Sequence, residues 1–250
     1  MKEVLKFNLK GQGASFSKPT YNSSSIIQTY PHIHKVTLLG MLGAIIGIDN
    51  TGYKRKKELP KFYKLLKDLK IAIVPKRLNF NKCVDVVADT SGFSNKISPN
   101  VGATYLINYE ILINPSWDIY ILGDGEYYNK IKKYILNRSA VFYPFLGRNH
   151  LFADLNEVEI LNGEFSKELS KIDSFFISDN VVLDEDEILL NEKLYLFKDS
   201  MPISIDDRKI DGTDFMLNQY SIKSLTFSNI DVLKSKEDLF YCGDKVLYFI

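Results

Sequence analysis

The chain has 250 residues, 45% of them hydrophobic and 25% charged, with a formal net charge of +1. That is enough apolar material for one large or two small folded domains, and it excludes a disordered chain. The only two cysteines, Cys83 and Cys242, lie far apart in sequence, which excludes a disulfide framework and a CxxC zinc site.

The opening residues, MKEVLKFNLK, place Lys or Glu every few positions, so they hold no secretory apolar core and the expected location is cytoplasmic. The near-neutral total hides an asymmetry. Residues 1–153 carry 22 Lys/Arg against 10 Asp/Glu, a net +12, while residues 154–250 carry 10 against 21, a net −11. Such a split suits a half that faces a polyanion and a half that faces something else, or a clustering of solvated charges.

Residues 4–10, VLKFNLK, alternate: Leu5, Phe7 and Leu9 on one face, Lys6, Asn8 and Lys10 on the other, the pattern of a half-buried strand. The loop GQGASFSKPTYNSSS follows. In KVTLLGMLGAIIGI, Val36, Leu39, Gly40, Gly43, Ile46 and Gly47 recur at spacings of three and four, which predicts a helix with a glycine stripe. The run is about thirteen residues, short of the roughly twenty a membrane span needs. No GK[ST] follows the glycines, and GQGASF has Phe16 where a dinucleotide fingerprint wants its third glycine. What remains is a helix whose glycines let its backbone lie close against a sheet, each at a cost of about 1 kcal/mol relative to Ala.

Further on, ELPKFYKLLKDL (58–69) predicts a second helix with Leu59, Phe62, Leu66 and Leu69 on one face, and KIAIVPK a buried strand ended by Pro75. CVDVVAD (83–89) and ATYLINYEILI (103–113) read as the arms of a long hairpin. WDIYIL is another strand, GDGE starts a helix with Tyr128, Ile131 and Ile135 on its apolar side, and FADLNEVEIL reads as a strand. Stripped of insertions, the order is strand, helix, strand, strand, helix, strand. That is an α+β, ferredoxin-like split βαβ arrangement over residues 1–162, with an inserted hairpin thumb at about 83–113. Short strands fill residues 163–250, a β-rich C-terminal region whose Gly243-Asp244 suits a hairpin turn.

Three stretches in fixed order, LKGQGASFSKP, LLGMLGAIIG and YPFLGRNHLFA, resemble the Cas-five family of CRISPR-associated proteins. The wording of YPFLGRN is most similar to members from type I-B systems. The resemblance implies a RAMP domain with a thumb, in a subunit that caps the 5′ handle of the CRISPR RNA in a Cascade-type complex. It also implies contacts with backbone and large subunits, an indirect role toward target DNA, and no cofactor.

RNA recognition needs cations for phosphates, flat groups for unstacked bases and polar groups for base edges. The loop 11–35 and its flanks offer Lys10, Lys18 and Lys35, then Phe16, Tyr21 and Tyr30, then Gln12, Ser15 and Asn22. Phe16 reads equally as a core anchor. Lys54, Arg55, Lys56 and Lys57 form the densest basic run, with Lys76 and Arg77 beyond it; they suit phosphates or a solvated face. The thumb tip offers Phe93, Asn95 and Lys96. In LGRNHL, Gly147 precedes Arg148, Asn149 and His150, where Arg148 suits a forked phosphate contact or base stacking. His32 and His34 are too few ligands for zinc, and no metal site is expected.

Two activities remain open. The first is a non-catalytic RNA-binding subunit. The second is a metal-independent endoribonuclease, which one branch of the resembled family implies, with His150, Tyr143 and Arg148, or His34, Lys35 and Tyr30, as base, acid and phosphorane-stabilising cation. A plain RRM-like binder would want RNP aromatics on a central strand, and the nearest, Tyr105 and Tyr109, lie in a thumb arm.

Overall fold

Alternating apolar and polar residues make Lys2–Lys10 a strand, β1, and in this computed structural model it is a central strand of the main sheet. The structure describes residues 1–19, 26–49, 58–89, 105–184, 186, 193–209 and 219–250. After β1 come the two-residue strands β2 (Gly13–Ala14) and β3 (Ile26–Ile27), helices α1 (Lys35–Ile45) and α2 (Lys61–Leu66), and strand β4 (Ile71–Pro75). The hairpin arms β5 (Lys82–Asp89) and β6 (Tyr105–Ile113) lead to β7 (Ser116–Leu122), α3 (Gly125–Leu136) and β8 (Asp154–Ser166). The remaining strands are β9 (Phe176–Ile177), β10 (Val181–Leu183), β11 (Leu196–Asp206), β12 (Gln219–Ser228), β13 (Val232–Ser235), β14 (Leu239–Cys242) and β15 (Lys245–Leu247).

Within the main sheet, β8, β1, β7 and β4 lie side by side, each neighbouring pair antiparallel. This interleaving puts strands distant in sequence next to each other, as helical crossovers over an intervening strand require. β14 pairs with β8, and β15 with β14. Ile250 and Ile71 then exchange backbone hydrogen bonds of 3.0 and 3.3 Å, so the β4 edge meets the residues after β15 and the sheet nearly closes on itself.

Near-closure gives the sheet two buried faces. Leu5, Phe7, Leu9, Trp117, Ile119 and Ile121 face the core beneath α1 and α3, while Val4, Tyr120 and Leu122 face a second core with Phe240 and Leu247. Each such side chain contributes about 1.5–3 kcal/mol when fully buried. The expectation that Lys6, Asn8 and Lys10 form a solvent face is corrected at Asn8. It is buried, and its amide donates to Asp118 Oδ1 at 2.9 Å.

The glycine stripe of α1 also needs correcting. Val36, Leu38, Leu39, Leu42 and Ile45 are the residues that enter the core. Gly40 and Gly43 face α2: a Cβ on Gly43 would lie 2.8 Å from Phe62 Cβ, so the close approach is helix to helix and not helix to sheet. Gly47, at φ +77°, ends the helix in a Schellman motif, with Ile48 N–H donating to Gly43 O and Gly47 N–H to Ala44 O. The helix at 58–69 is regular only over α2, beginning after Pro60.

The thumb arms pair in register from Lys82↔Leu112 to Asp89↔Tyr105, and β6 also carries β2 and β3. The tip residues Phe93, Asn95 and Lys96 lie outside the described residues. β8 runs across the 162/163 boundary, and the strands beyond it join the first core: Phe175, Met201, Leu225 and Phe227 belong to it, and Ile205 N–H donates to Tyr63 Oη at 2.9 Å. No described helix is long and apolar enough to cross a membrane.

Candidate nucleic-acid interface

Two loops and the thumb root meet at one end of β1. The turn 144–153 is held by its own backbone: Leu146 N–H donates to Leu151 O at 2.7 Å, Ala153 N–H to Pro144 O at 3.1 Å, and Phe145 bridges Phe152. It is laced to the first loop through Ser15 N–H and Leu146 O at 3.0 Å. Gly147 lies at φ +87° against that loop, where a Cβ would fall 1.9 Å from Ser15 O. Only glycine fits such an approach. Gly11 is nearly as tight, its would-be Cβ 2.7 Å from Phe152 O. The thumb root anchors the loop too, since Ser15 Oγ donates to Glu110 O and the Glu110 carboxylate accepts from Thr29 N–H and Lys82 Nζ.

This lacing leaves a cleft of about 460 Å³ lined by Gln12, Gly13, Tyr143, His150, Leu151, Phe152 and Asp154. Tyr143 and Phe152 meet edge to face, centroids 5.3 Å apart, and are 70% and 57% exposed. His150 Nε2 stands 3.4 Å from Asp85 Oδ2 on β5. Beside the cleft, the Arg148 guanidinium carbon lies over the Tyr109 ring of β6, 3.4 Å from its centroid, and its buried Nε–H finds no acceptor among the described residues. Lys10 and Asn149 are exposed nearby in sequence, Lys10 pairing through its backbone with Asp154.

The other expected residues are placed differently. Ser15 is buried, and Phe16 is 3% exposed, packed on Trp117 and His34, which makes it a core anchor with no free face for a base. Tyr30 is buried edge-on to His34, and burial raises its phenol pKa. Lys18 lies 5.3 Å over the Tyr30 ring and 3.8 Å from Asp199. Lys35 donates to Ile250 O at 3.0 Å, and its pKa is lowered to about 8 by burial. Lys76 is bonded to Asp118, whereas Arg77 is exposed. Tyr21, Asn22, Lys54, Arg55, Lys56, Lys57 and Lys96 lie outside the described residues.

His32 and His34 are structural. Trp117 Nε1–H donates to His32 Nδ1 at 3.1 Å, so the His32 proton sits on Nε2 and is donated to Leu78 O at 2.8 Å. His34 caps α1, its ring bonded to Thr37. Burial lowers their pKa values to about 4 and about 3, so both are neutral near pH 7. The set His34, Lys35 and Tyr30 is therefore not arranged as acid, base and cation: the imidazole is sealed and the ammonium is engaged. Of the other set, Tyr143 and His150 do line one cleft, while Arg148 turns to Tyr109. Among the described residues no three His, Cys, Asp or Glu side chains converge as metal ligands would.

Composition pointed to Arg148 and His150 but not to Phe152, Asp154 or Tyr109 as their neighbours. Phe152 sits in an apolar-looking LFA, yet it bridges Phe145 through its backbone and leaves its side chain 57% exposed.

No protein-family model and no curated protein matches the chain. Solved structures do. A chain of a structure described as a CRISPR RNA-guided surveillance complex superposes with a TM-score of 0.52 at 14% identity, covering 92% of this chain and 91% of that one. The two share a fold. A CRISPR protein from Archaeoglobus fulgidus gives a TM-score of 0.47 at 12% identity over 98% and 97% of the chains, and a chain of a type III-B Cmr-beta complex bound to cognate target RNA gives 0.47 at 14% over 92% and 86%.

Proposed function

We propose that this chain is a CRISPR-associated, non-catalytic RNA-binding subunit of a type I Cascade complex, most similar to type I-B members. In this reading it holds the 5′ handle of the CRISPR RNA, contacts backbone and large subunits, and meets target DNA only indirectly. In such complexes base pairing reads the target sequence, which leaves the protein to hold the guide by shape and backbone. The observation that carries the reading is the Arg148–Tyr109 pair beside an aromatic-walled cleft: a preorganised cation for phosphate or base next to flat groups for unstacked bases. The fold shared with a surveillance-complex chain agrees with it.

The endoribonuclease reading keeps one support, Tyr143 and His150 in the same cleft. One experiment separates the two. The purified chain is incubated with repeat-derived RNA in chelator, and both binding and strand length are followed. Binding without cleavage, weakened about tenfold by Arg148→Ala and falling steeply with salt, is expected. Site-specific cleavage abolished by His150→Ala would replace the scaffold with the nuclease.

A further inference from the structure

We infer that the cleft between Gln12, Tyr143, His150, Phe152 and Asp154 seats one unstacked nucleobase and selects a base bearing an exocyclic amine, cytosine over uracil. The inference deepens the RNA-binding reading and rests on it.

Size and walls come first. About 460 Å³ is within the range of small-ligand pockets. Tyr143 and Phe152 expose their rings at its side, although large aromatic side chains usually bury most of their surface. An edge-to-face pair leaves one ring face open to a planar ligand, and base–aromatic stacking is worth about 1–3 kcal/mol per base.

The polar groups supply direction. An ionised Asp154 carboxylate only accepts hydrogen bonds, whereas the Gln12 amide both donates and accepts. Neither side chain is bonded to another described residue, so both edges are available. Cytosine presents an N4 amine for the carboxylate, with N3 and O2 as acceptors for the Gln12 amide. Uracil presents the O4 carbonyl at the position of that amine, which sets two lone-pair-bearing oxygens against each other. The stacked Arg148 beside the cleft supplies positive charge for the adjoining phosphate and offsets the repulsion an isolated carboxylate would exert on RNA. A seat for an apolar protein segment would not put an acid, an amide and an imidazole in the same cleft.

The test uses the full chain and short, equal-length fluorescent oligocytidine and oligouridine, read by anisotropy at fixed salt, with thermal melts to verify folding. Oligocytidine is expected to bind about tenfold tighter, within the value of one good base contact. Asp154→Asn, whose amide can donate to O4, should narrow that preference to about twofold, and Tyr143→Ala or Phe152→Ala should weaken both RNAs about tenfold. Equal binding of the two oligonucleotides by the wild type, or a preference untouched by Asp154→Asn, overturns the inference while leaving the RNA-binding reading intact. Unchanged RNA affinity in both aromatic variants assigns the rings to a protein partner and also overturns it. Binding of neither RNA, nor of the repeat-derived RNA, overturns the RNA-binding reading beneath.

Discussion

Two segments of this chain begin alike and end opposite. Residues 29–34, TYPHIH, and residues 142–150, FYPFLGRNH, both hold a Tyr-Pro step, aromatics and histidine, yet all of the first segment is buried and most of the second faces solvent. In the first, each polar ring atom has a fixed partner: Trp117 and Leu78 on His32, Thr37 on His34. In the second, backbone hydrogen bonds within the turn and the glycine approach to Ser15 hold the chain, and Phe142, Tyr143 and Phe145 stay exposed. Satisfied polar rings belong to a core, and rings displayed on a braced turn are the ones open to the proposed RNA contact.

The largest effect expected is on the bracing. Gly147→Ala would drive a methyl into the Ser15 carbonyl in a left-handed conformation, and should cost about 3 kcal/mol or more in denaturant unfolding and abolish RNA binding. Gly243→Ala, also at positive φ but with nothing within 4 Å, should cost about 1–2 kcal/mol. Equal costs at the two sites would break the contrast, since they would show that conformation and not contact decides.

Acid separates the segments next. An unfolded histidine titrates near 6.5, while His32 and His34 in the fold titrate at about 4 and about 3. Between those values the unfolded state binds more protons, so stability is full above about pH 6.5 and declines as pH falls through the folded values, by about 3 kcal/mol in all for His32 and about 5 kcal/mol for His34. Urea unfolding at pH 7 and pH 4.5 measures this. His34→Asn retains an N-cap acceptor and should flatten part of the slope.

How far the sequence foretold these outcomes follows from what each feature depends on. The α+β succession was legible because periodicity records which face of an element is buried: Leu5, Phe7 and Leu9 sit where their alternation puts them, as do Tyr128, Ile131 and Ile135. Asn8 was misread, since what holds its amide lies on β7, more than 100 positions later: Ser116, Trp117 O and Asp118 all accept from it. In the candidate site, Arg148 and His150 stood out by residue type. Phe16 stood out too and proved internal, because a local pattern does not say that Trp117 and His34 will enclose it. Asp154 was invisible, one carboxylate among many, until the pairing of Lys10 with Asp154 brought its backbone beside the loop.

The smallest effects concern the helix that follows the inward segment and holds His34 at its cap. Gly40 and Gly43 look equivalent in sequence, but α2 distinguishes them: a Cβ on Gly40 would meet the Phe62 ring at 3.6 Å, an ordinary contact, and one on Gly43 would stand 2.8 Å from Phe62 Cβ. Gly40→Ala should therefore stabilise the chain by up to about 1 kcal/mol, through helix propensity. Gly43→Ala should destabilise it by about 1–2 kcal/mol, because a backbone-proximal carbon on α2 must move. Opposite signs in thermal melts would place the close approach between the two helices. Matching signs would return the stripe to a sheet contact, and with it the idea that the sheet, not α2, seats the helix whose cap seals His34.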